Sequence, residues 1–305
     1  MIVRPRPRSW QLLYIMRGSI VPAIAPKVAV IFALGLGISL LAERIALPVI
    51  DRLGVGPFTL LGLALSIYLS FRNNACHERW WEGRKLWGQL VHESRSLARE
   101  CNALLADDPD LRRRVLRLAA GFAHALAARL RDGDIRAAAA PWIDPALQPA
   151  VQARNNVPDA LLGLIAGELA VPLRDGRLSP YLYTVLEARL AAMASIQAGC
   201  ERILTTPLPF AYTLLLHRFA WLFCLLLPFG LVGVLGWATP FVSALLAYAF
   251  FGLDRLGDEL EDPFGLEPND LPLDALARII AIDLLDAAGE RPLPEPLQPQ
   301  GYVLR

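Results

Sequence analysis

Apolar residues are not spread evenly along the 305-residue chain but concentrate in two zones, residues 28–71 and 203–253. In the second zone, residues 219–253 run for 35 positions without a charged side chain. One membrane span takes roughly 17–25 residues, so this run is long enough for more than one. Glycines and prolines punctuate its middle. The pattern therefore predicts a helical hairpin that crosses a membrane twice.

The first apolar zone predicts two further spans. Residues 28–50 are uncharged except for Glu43 and Arg44, which fall in the outer third of the span, where a charge costs less than at the centre. A turn follows, and residues 53–71 then carry no charge over 19 positions. Each stretch has the roughly 20 residues that match a ~30 Å hydrocarbon core at ~1.5 Å rise per residue. Four transmembrane helices result.

Between the two zones, residues 72–204 place apolar side chains at the three- and four-residue spacing of amphipathic helices. A linker at 133–157, which contains three prolines, interrupts the pattern. The predicted helices cover 84–105, 111–131, 158–171 and 181–204. A segment of this length is too long for a loop. It therefore predicts a large helical region outside the membrane.

After the second zone come an acidic run, a helix predicted at 271–288 and a proline-rich, extended tail. The predicted organisation has five segments. They are a cytosolic N-terminal segment (1–27), transmembrane helices 1 and 2 (28–71), a cytosolic helical region (72–204), transmembrane helices 3 and 4 (205–253), and a cytosolic C-terminal segment (254–305).

Lysine and arginine residues indicate the orientation. Five of them precede the first span, and the central region is rich in arginine, whereas Arg52 is the sole basic residue in the turns at 51–57 and 228–236. An excess of basic residues marks the cytoplasmic side. We therefore expect a multi-pass protein of the plasma membrane with both termini in the cytoplasm.

Composition agrees with a membrane protein. Apolar residues make up 55% of the chain, mean hydropathy is +0.40, and charged residues are 19%, below the roughly 25% of soluble domains. A net charge of +1 gives no reason to expect a nucleic-acid partner. The four cysteines are widely spaced, which suits a reducing interior or lipid. No nucleotide-binding, hydrolase or zinc motif occurs, so we do not expect an enzyme.

The acidic run at 254–262 allows two interpretations. Its carboxylates could hold a divalent cation, or they could form salt bridges with the arginine-rich central region. The second interpretation is favoured, because clustered charges at a helix end are commonly solvated or paired with arginine. The four histidines have no mutual metal-ligand spacing.

One junction carries the strongest motif. The uncharged stretch 53–71 passes without a break into a run of charges and tryptophans, which predicts a helix that leaves the bilayer and continues into water. The motif residues are Arg72, Asn73, Asn74, Arg79, Trp80 and Trp81. This string closely resembles the signature segment of bestrophins. Ser-Pro-Tyr at 179–181, Cys-Glu-Arg-Ile at 200–203, Asp-Pro-Phe-Gly at 262–265 and Asn-Asp-Leu-Pro at 269–272 extend the resemblance in the same order.

The resemblance implies an all-α, homopentameric channel with one central pore. Each subunit would have four transmembrane helices and a large helical cytosolic portion, and monovalent ions would cross passively. Length and the segment at 269–274 resemble the bacterial branch, which implies the bacterial inner membrane. The implied partners are further copies of the chain, membrane lipid and monovalent ions.

The resemblance also places the pore. It implies an apolar neck at Leu63, Ile67 and Phe71, which share one helix face at i, i+4 and i+8, and a cytosolic aperture at Tyr181. Sequence alone also offers a polar stripe on an adjacent face, at Thr59, Gly62, Ser66, Ser70, Asn74 and His77. Such a stripe lines water or makes helix–helix contacts. We follow the neck assignment, because apolar rings can gate by dewetting.

The sequence leaves open whether the permeant ion is a cation or an anion. Resemblance to the animal bestrophins implies a calcium-activated chloride channel, whereas resemblance to some bacterial members implies the passage of monovalent cations. The aliphatic Leu63 and Ile67 give no reason to prefer anions, so monovalent cations such as sodium are favoured and chloride is the alternative. A membrane-anchored helical scaffold without conduction is the alternative from another class. The acidic run of the animal calcium site is broken here, with Glu267 and Asp270 as weak metal candidates, so no calcium or other cofactor is expected.

Overall fold

The computed structural model describes residues 1–44 and 54–305, and regular structure in these residues is helical apart from isolated bridges. The α-helices are α1 (Val21–Arg44), α2 (Gly56–Leu104), α3 (Pro109–Leu130), α4 (Ile135–Ala139), α5 (Gln148–Gln152), α6 (Val157–Arg174), α7 (Pro180–Thr205), α8 (Phe210–Leu235), α9 (Thr239–Glu261) and α10 (Leu273–Ala287). Short 3₁₀ helices cover Ser9–Leu13, Ala140–Trp142 and Gly236–Ala238.

The predicted helices are confirmed with small shifts of their ends. The helix of the first predicted span begins earlier, at Val21, and ends at Arg44, while residues 45–53 of that span and its turn lie outside the described residues. The predicted continuation through the charged motif is confirmed, because α2 is one helix of 49 residues. The predicted hairpin is confirmed, but its turn is later than the expected 228–236: α8 continues through Pro228 to Leu235, and the chain turns at the 3₁₀ helix Gly236–Ala238, where Gly236 has a φ of 50°.

The chain divides into two compact units. We call residues 5–80 and 207–262 the apolar unit, and residues 1–4, 81–206 and 263–305 the bundle unit. Two described stretches, Val21–Arg44 and Phe210–Glu261, combine the length and apolar character that a membrane span needs. The second of these stretches folds as α8 and α9, joined by the 3₁₀ turn.

Close helix packing in the apolar unit depends on small residues. A Cβ atom added to Gly35 of α1 would lie 2.9 Å from Cα of Pro240 on α9. Gly230 of α8 likewise lies against the ring of Phe58 on α2. Small residues allow helix backbones to approach closely where lipid offers no hydrophobic driving force between helices.

The bundle unit is built around α3. Its predicted apolar face is confirmed, with Val115, Phe122 and Leu126 buried, and α3 packs against α6 and α10. Side chains cap the first turns of α3 itself and of α7: the Asp108 carboxylate accepts the Leu111 N–H at 3.0 Å, and Ser179 Oγ accepts the Leu182 N–H at 3.3 Å. The predicted linker at 133–157 contains the short helices α4 and α5.

Residues near the two termini pair with each other inside the bundle unit. The N–H of Val3 donates to the carbonyl of Tyr302, and the N–H of Leu304 donates to the carbonyl of Met1, each at 2.8 Å. The guanidinium of Arg4 lies 4.6 Å from the centre of the Tyr302 ring. The tail is thus extended and bound to residues 1–4.

Candidate ion pathway

One face of α2 leaves large apolar side chains uncovered. Leu63, Ile67 and Phe71 are 58%, 46% and 60% exposed in the single chain. Leu65 and Leu69, which belong to another face of the same helix, are fully buried. The helix therefore has a packed side inside the subunit and an apolar side that a subunit alone does not cover.

The predicted polar stripe on α2 is also exposed at most positions, but two of its three hydroxyls, those of Thr59 and Ser66, are satisfied within their own helix. Ser66 Oγ donates to the carbonyl of Gly62 at 2.8 Å, and Thr59 Oγ1 donates to the carbonyl of Val55 at 3.1 Å. Such back-bonded hydroxyls do not require water or a partner helix. Both faces are open in the single chain, so the neck at Leu63, Ile67 and Phe71 stays a prediction.

Arg72, the first residue of the family motif, is fully buried. Its guanidinium donates to Asp254 Oδ1 at 2.9 Å and to the carboxylate of Asp258, and it lies 3.5 Å from a carboxylate oxygen of Glu261. On the opposite side of Asp254, His217 Nδ1 lies 2.7 Å from Oδ2. A buried charge needs such partners, because isolation in a low-dielectric interior is costly.

Two other motif residues, Asn73 and Arg79, pack the same middle part of α2 against the last turns of α9. Arg79 Nε donates to the carbonyl of Glu261 at 3.1 Å, and a Cβ atom on Gly257 would lie 2.6 Å from Oδ1 of Asn73. Asn74 and Trp81 are exposed, whereas Trp80 is half-buried. Burial raises the pKa of the nearby Cys76 thiol to about 11, so this cysteine is unreactive at neutral pH.

The salt-bridge interpretation of the acidic run is confirmed for Asp254, Asp258 and Glu261, but their shared arginine is Arg72, the first residue of the predicted central region, which lies in the apolar unit. Asp254 is also buried, where the sequence favoured a solvated helix end. Within residues 1–44 and 54–305, no group of three or more histidine, cysteine or acidic side chains could hold a metal ion. Of the weak metal candidates, Glu267 is exposed, and the buried Asp270 carboxylate accepts the backbone N–H of Glu267 at 2.7 Å.

The predicted aperture residue is the most exposed of the large hydrophobic side chains that the structure describes. Tyr181, in the first turn of α7 in the bundle unit, is 86% exposed. Pro180 precedes it at the first helical position, where its missing N–H costs nothing. No described residue covers most of the ring, which leaves it free to face a pore axis or another copy of the chain.

Sequence reasoning missed the partners of two polar residues, Glu43 and His217. Glu43, expected as a charge in the outer third of a span, accepts a hydrogen bond from Trp237 Nε1 at 2.7 Å. His217, for which the sequence suggests no partner, lies with Nδ1 2.7 Å from Oδ2 of Asp254. In both cases the partner lies far along the chain. The one signal in the sequence is that a polar residue inside an apolar segment needs a partner, and this signal does not say which residue the partner is.

Comparison with known proteins identifies the family. The model of the Bacterial/Fungal Bestrophin protein family matches residues 1–286. A voltage-dependent anion channel-forming protein of Mesorhizobium japonicum is 49% identical over 292 residues, which is 96% of this chain and 94% of the relative. The voltage-dependent anion channel-forming protein YneE of Escherichia coli is 43% identical over 307 residues and 99% of both chains.

Comparison with solved structures gives the same family as the sequence comparison. The crystal structure of a bacterial bestrophin homolog from Klebsiella pneumoniae matches with a TM-score of 0.84 and 37% identity, and the match covers 88% of this chain and 100% of that chain. The fold, the motif and the relatives thus point to the same family. The chain belongs to the bacterial and fungal bestrophin family, and it is a membrane ion channel rather than an enzyme.

Proposed function

We propose that five copies of the chain form a ring around one central pore and that monovalent ions cross it passively through an apolar neck. The observation that carries this proposal is the uncovered face of α2, where Leu63, Ile67 and Phe71 are about half exposed beside the fully buried Leu65 and Leu69. Contiguous large apolar side chains on a surface mark an interface or a pathway. A ring of such side chains narrows a pore and can close it by dewetting.

Assembly follows from symmetry. A ring of identical subunits uses one heterologous interface repeatedly and leaves no open end. The detergent-corrected mass should then be five times the 33.5 kDa of the chain. A stable monomer or dimer in solution would contradict the pore.

Tyr181 forms the second narrowing in this proposal, at the cytosolic end. Because its side chain is 86% exposed, removing the ring creates no cavity in the subunit. Tyr181→Ala should therefore change single-channel current while leaving the melting temperature of the pentamer unchanged. A lowered melting temperature with unchanged current would instead make Tyr181 an assembly contact.

Two observations favour opposite signs of the conducted ion. The relatives' names describe anion channels, which supports monovalent anions such as chloride. Glu78 supports monovalent cations such as sodium. It lies seven residues, or about two turns, after Phe71 on the same face of α2, is exposed, and forms no ion pair with the described residues. Five such carboxylates at the neck exit would attract cations.

Reversal potentials of the purified protein in planar bilayers distinguish these possibilities. In asymmetric sodium chloride, the sign of the reversal potential shows whether cations or anions carry the current. Replacing chloride with gluconate, or sodium with N-methylglucamine, then identifies the permeant ion. The scaffold alternative requires that no current appears in any of these solutions. If cations carry the current, Glu78→Gln should shift the reversal potential toward the equilibrium potential of chloride.

Lys85 provides the matched test of opposite charge, since it lies another seven residues along the same face of α2 and is also exposed. If Lys85→Gln moves the reversal potential further than Glu78→Gln does, the Glu78 ring does not set the sign. The location proposed is the bacterial inner membrane, with four transmembrane helices and both termini in the cytoplasm. The distribution of lysine and arginine supports this orientation.

A further inference from the structure

The segment that precedes α1 exposes large apolar side chains. Trp10, Leu12, Tyr14 and Met16 are 58%, 61%, 75% and 58% exposed. They lie in and just after the 3₁₀ helix Ser9–Leu13. Four such side chains within seven residues form a patch that water alone does not favour.

Basic side chains flank this patch. Arg6, Arg8 and Arg17 are exposed, and none of them forms an ion pair with a carboxylate in the part of the chain that the structure describes. Residues 5–20 contain no aspartate or glutamate. The segment thus combines three free guanidinium charges with an apolar surface, and it has no acidic residue of its own to neutralise them.

Packing shows where this segment lies relative to the apolar helices. A Cβ atom on Gly252 of α9 would lie 3.3 Å from Cδ1 of Ile20, so Ile20 packs over Gly252. Gly252 is two residues before Asp254, where the 35-residue uncharged run of the sequence ends. Gly18, with φ of 77°, provides the left-handed turn that leads into α1. The segment therefore emerges at the level where the apolar stretch gives way to charge.

We propose that residues 5–20 bind the anionic phospholipid surface of the cytoplasmic leaflet. Trp10, Leu12, Tyr14 and Met16 enter the boundary between headgroups and acyl chains, while the arginines pair with lipid phosphates. Amphipathic rings favour this boundary, and juxtamembrane basic residues are attracted by anionic lipid. This inference rests on the cytoplasmic orientation proposed above, but not on the pore or on the sign of the conducted ion.

Charge complementarity favours a bilayer over direct pairing of the patch with itself. Contact between two copies of residues 5–20 would bring six like charges together without an acidic residue between them, and contact with a different surface of a neighbouring subunit is the outcome that protection from both quenchers would reveal. An anionic membrane surface offers opposite charge and an apolar layer at once. The bilayer is therefore the better match.

The four native cysteines, Cys76, Cys101, Cys200 and Cys224, are all buried, so an added surface cysteine can be labelled selectively. Tyr14→Cys, carrying an environment-sensitive fluorophore, is placed in vesicles of phosphatidylcholine alone and in vesicles that also contain phosphatidylglycerol. Quenching is measured with headgroup-proximal nitroxide lipid and with aqueous iodide. Asp107→Cys, in the exposed turn after α2, is the matched control.

We expect the Tyr14 label to be quenched by nitroxide lipid and protected from iodide, more strongly when phosphatidylglycerol is present. Substituting Arg6, Arg8 and Arg17 with glutamine should remove that difference between the two vesicles, as should high salt, which screens charge. The control label should be quenched by iodide alone.

Two results would overturn the inference. Iodide quenching of the Tyr14 label in both vesicles would place the segment in water. Protection from both quenchers would place it under protein, against another copy of the chain. Ion flux recorded on the same vesicles tests the channel separately, so a failed anchor and a failed pore remain distinguishable.

Discussion

Nη1 of Arg72 lies 2.9 Å from Oδ1 of Asp254, and both side chains are buried, with 0% and 2% of their surfaces exposed. The pair joins α2 to α9 within the apolar unit. Arg72→Ala would leave Asp254 charged and without its guanidinium. Breaking a buried pair in this way costs roughly 3–5 kcal/mol, so we expect a large fall in the melting temperature of the purified protein.

The matched control for this prediction is a surface pair. Arg95 and Asp283 lie 2.7 Å apart, but their side chains are 55% and 32% exposed. Exposed pairs contribute roughly 0–1 kcal/mol, so Arg95→Ala should change the melting temperature little. Equal changes in melting temperature for the two variants would mean that the buried Arg72–Asp254 pair stabilises the protein no more than a surface pair does.

Gly35 and Gly37 test the close approach of α1 to α9. A Cβ atom at Gly35 would lie 2.9 Å from the backbone of Pro240, whereas a Cβ atom at Gly37 meets nothing within 4 Å. Gly35→Ala should destabilise the protein by the roughly 1–3 kcal/mol of an overpacked core. Gly37→Ala should be neutral or stabilising, because alanine favours helix. Thermal unfolding of the two variants in the same detergent gives the comparison, and a neutral Gly35→Ala would argue against this packing.

Ile67 and Leu65 separate the pore face of α2 from its packed face. Ile67 is 46% exposed and Leu65 is fully buried. Ile67→Ala should widen the neck, raise unitary conductance or open probability, and leave stability nearly unchanged. Leu65→Ala should cost roughly 2–5 kcal/mol through the cavity it leaves.

Single-channel current and melting temperature, measured on both variants, distinguish the two roles. If the polar stripe lines the pore instead, Ile67 packs against a neighbouring subunit. Ile67→Ala would then lower the melting temperature and leave unitary conductance as in the wild type.

His124 predicts acid sensitivity of the bundle unit. Burial lowers its pKa below the ordinary value of 6.5, with Arg278 acting in the same direction. Its Nε2 finds no hydrogen-bond partner among the described residues, and its ring stacks on Trp142 with centroids 5.0 Å apart. Because the unfolded chain takes up the proton more readily, stability is lost as pH falls below about 6.5.

His124→Phe keeps an aromatic ring against Trp142 but cannot titrate. Its melting temperature should therefore fall less between about pH 7 and pH 5 than that of the wild type. His92→Phe, at a side chain that is 67% exposed, is the control and should retain the acid sensitivity of the wild type. Identical pH profiles for wild type and His124→Phe would exclude His124 as the source.

Most of the helical framework could be predicted from sequence, because it depends on local signals. The uncharged run at 219–253 and the apolar periodicity of α3 each act within a few turns of helix. Continuity of α2 through its charged motif was also predictable, since no proline follows Pro57 until the helix has ended.

The partners of the polar residues were less accessible to sequence reasoning. An acidic run and a nearby wealth of arginine predicted salt bridges, yet 182 residues separate Arg72 from Asp254. Many arginines of the chain could pair with the acidic run on the basis of sequence alone, and only the fold determines that Arg72 does so. The same holds for Glu43, whose hydrogen-bond donor Trp237 lies 194 residues away. The neck and aperture residues still rest on the family resemblance.

The hydrogen bonds that join residues 1–4 to residues 302–305 impose a parity rule on the chain. Segments bonded to each other occupy the same side of any membrane, so the chain between them crosses an even number of times. If α1, α8 and α9 each cross once, a fourth crossing is required. In the described part of the chain, the uncharged first turns of α2 are the stretch that can supply it. A three-pass arrangement would hold the two bonded segments on opposite faces of the bilayer.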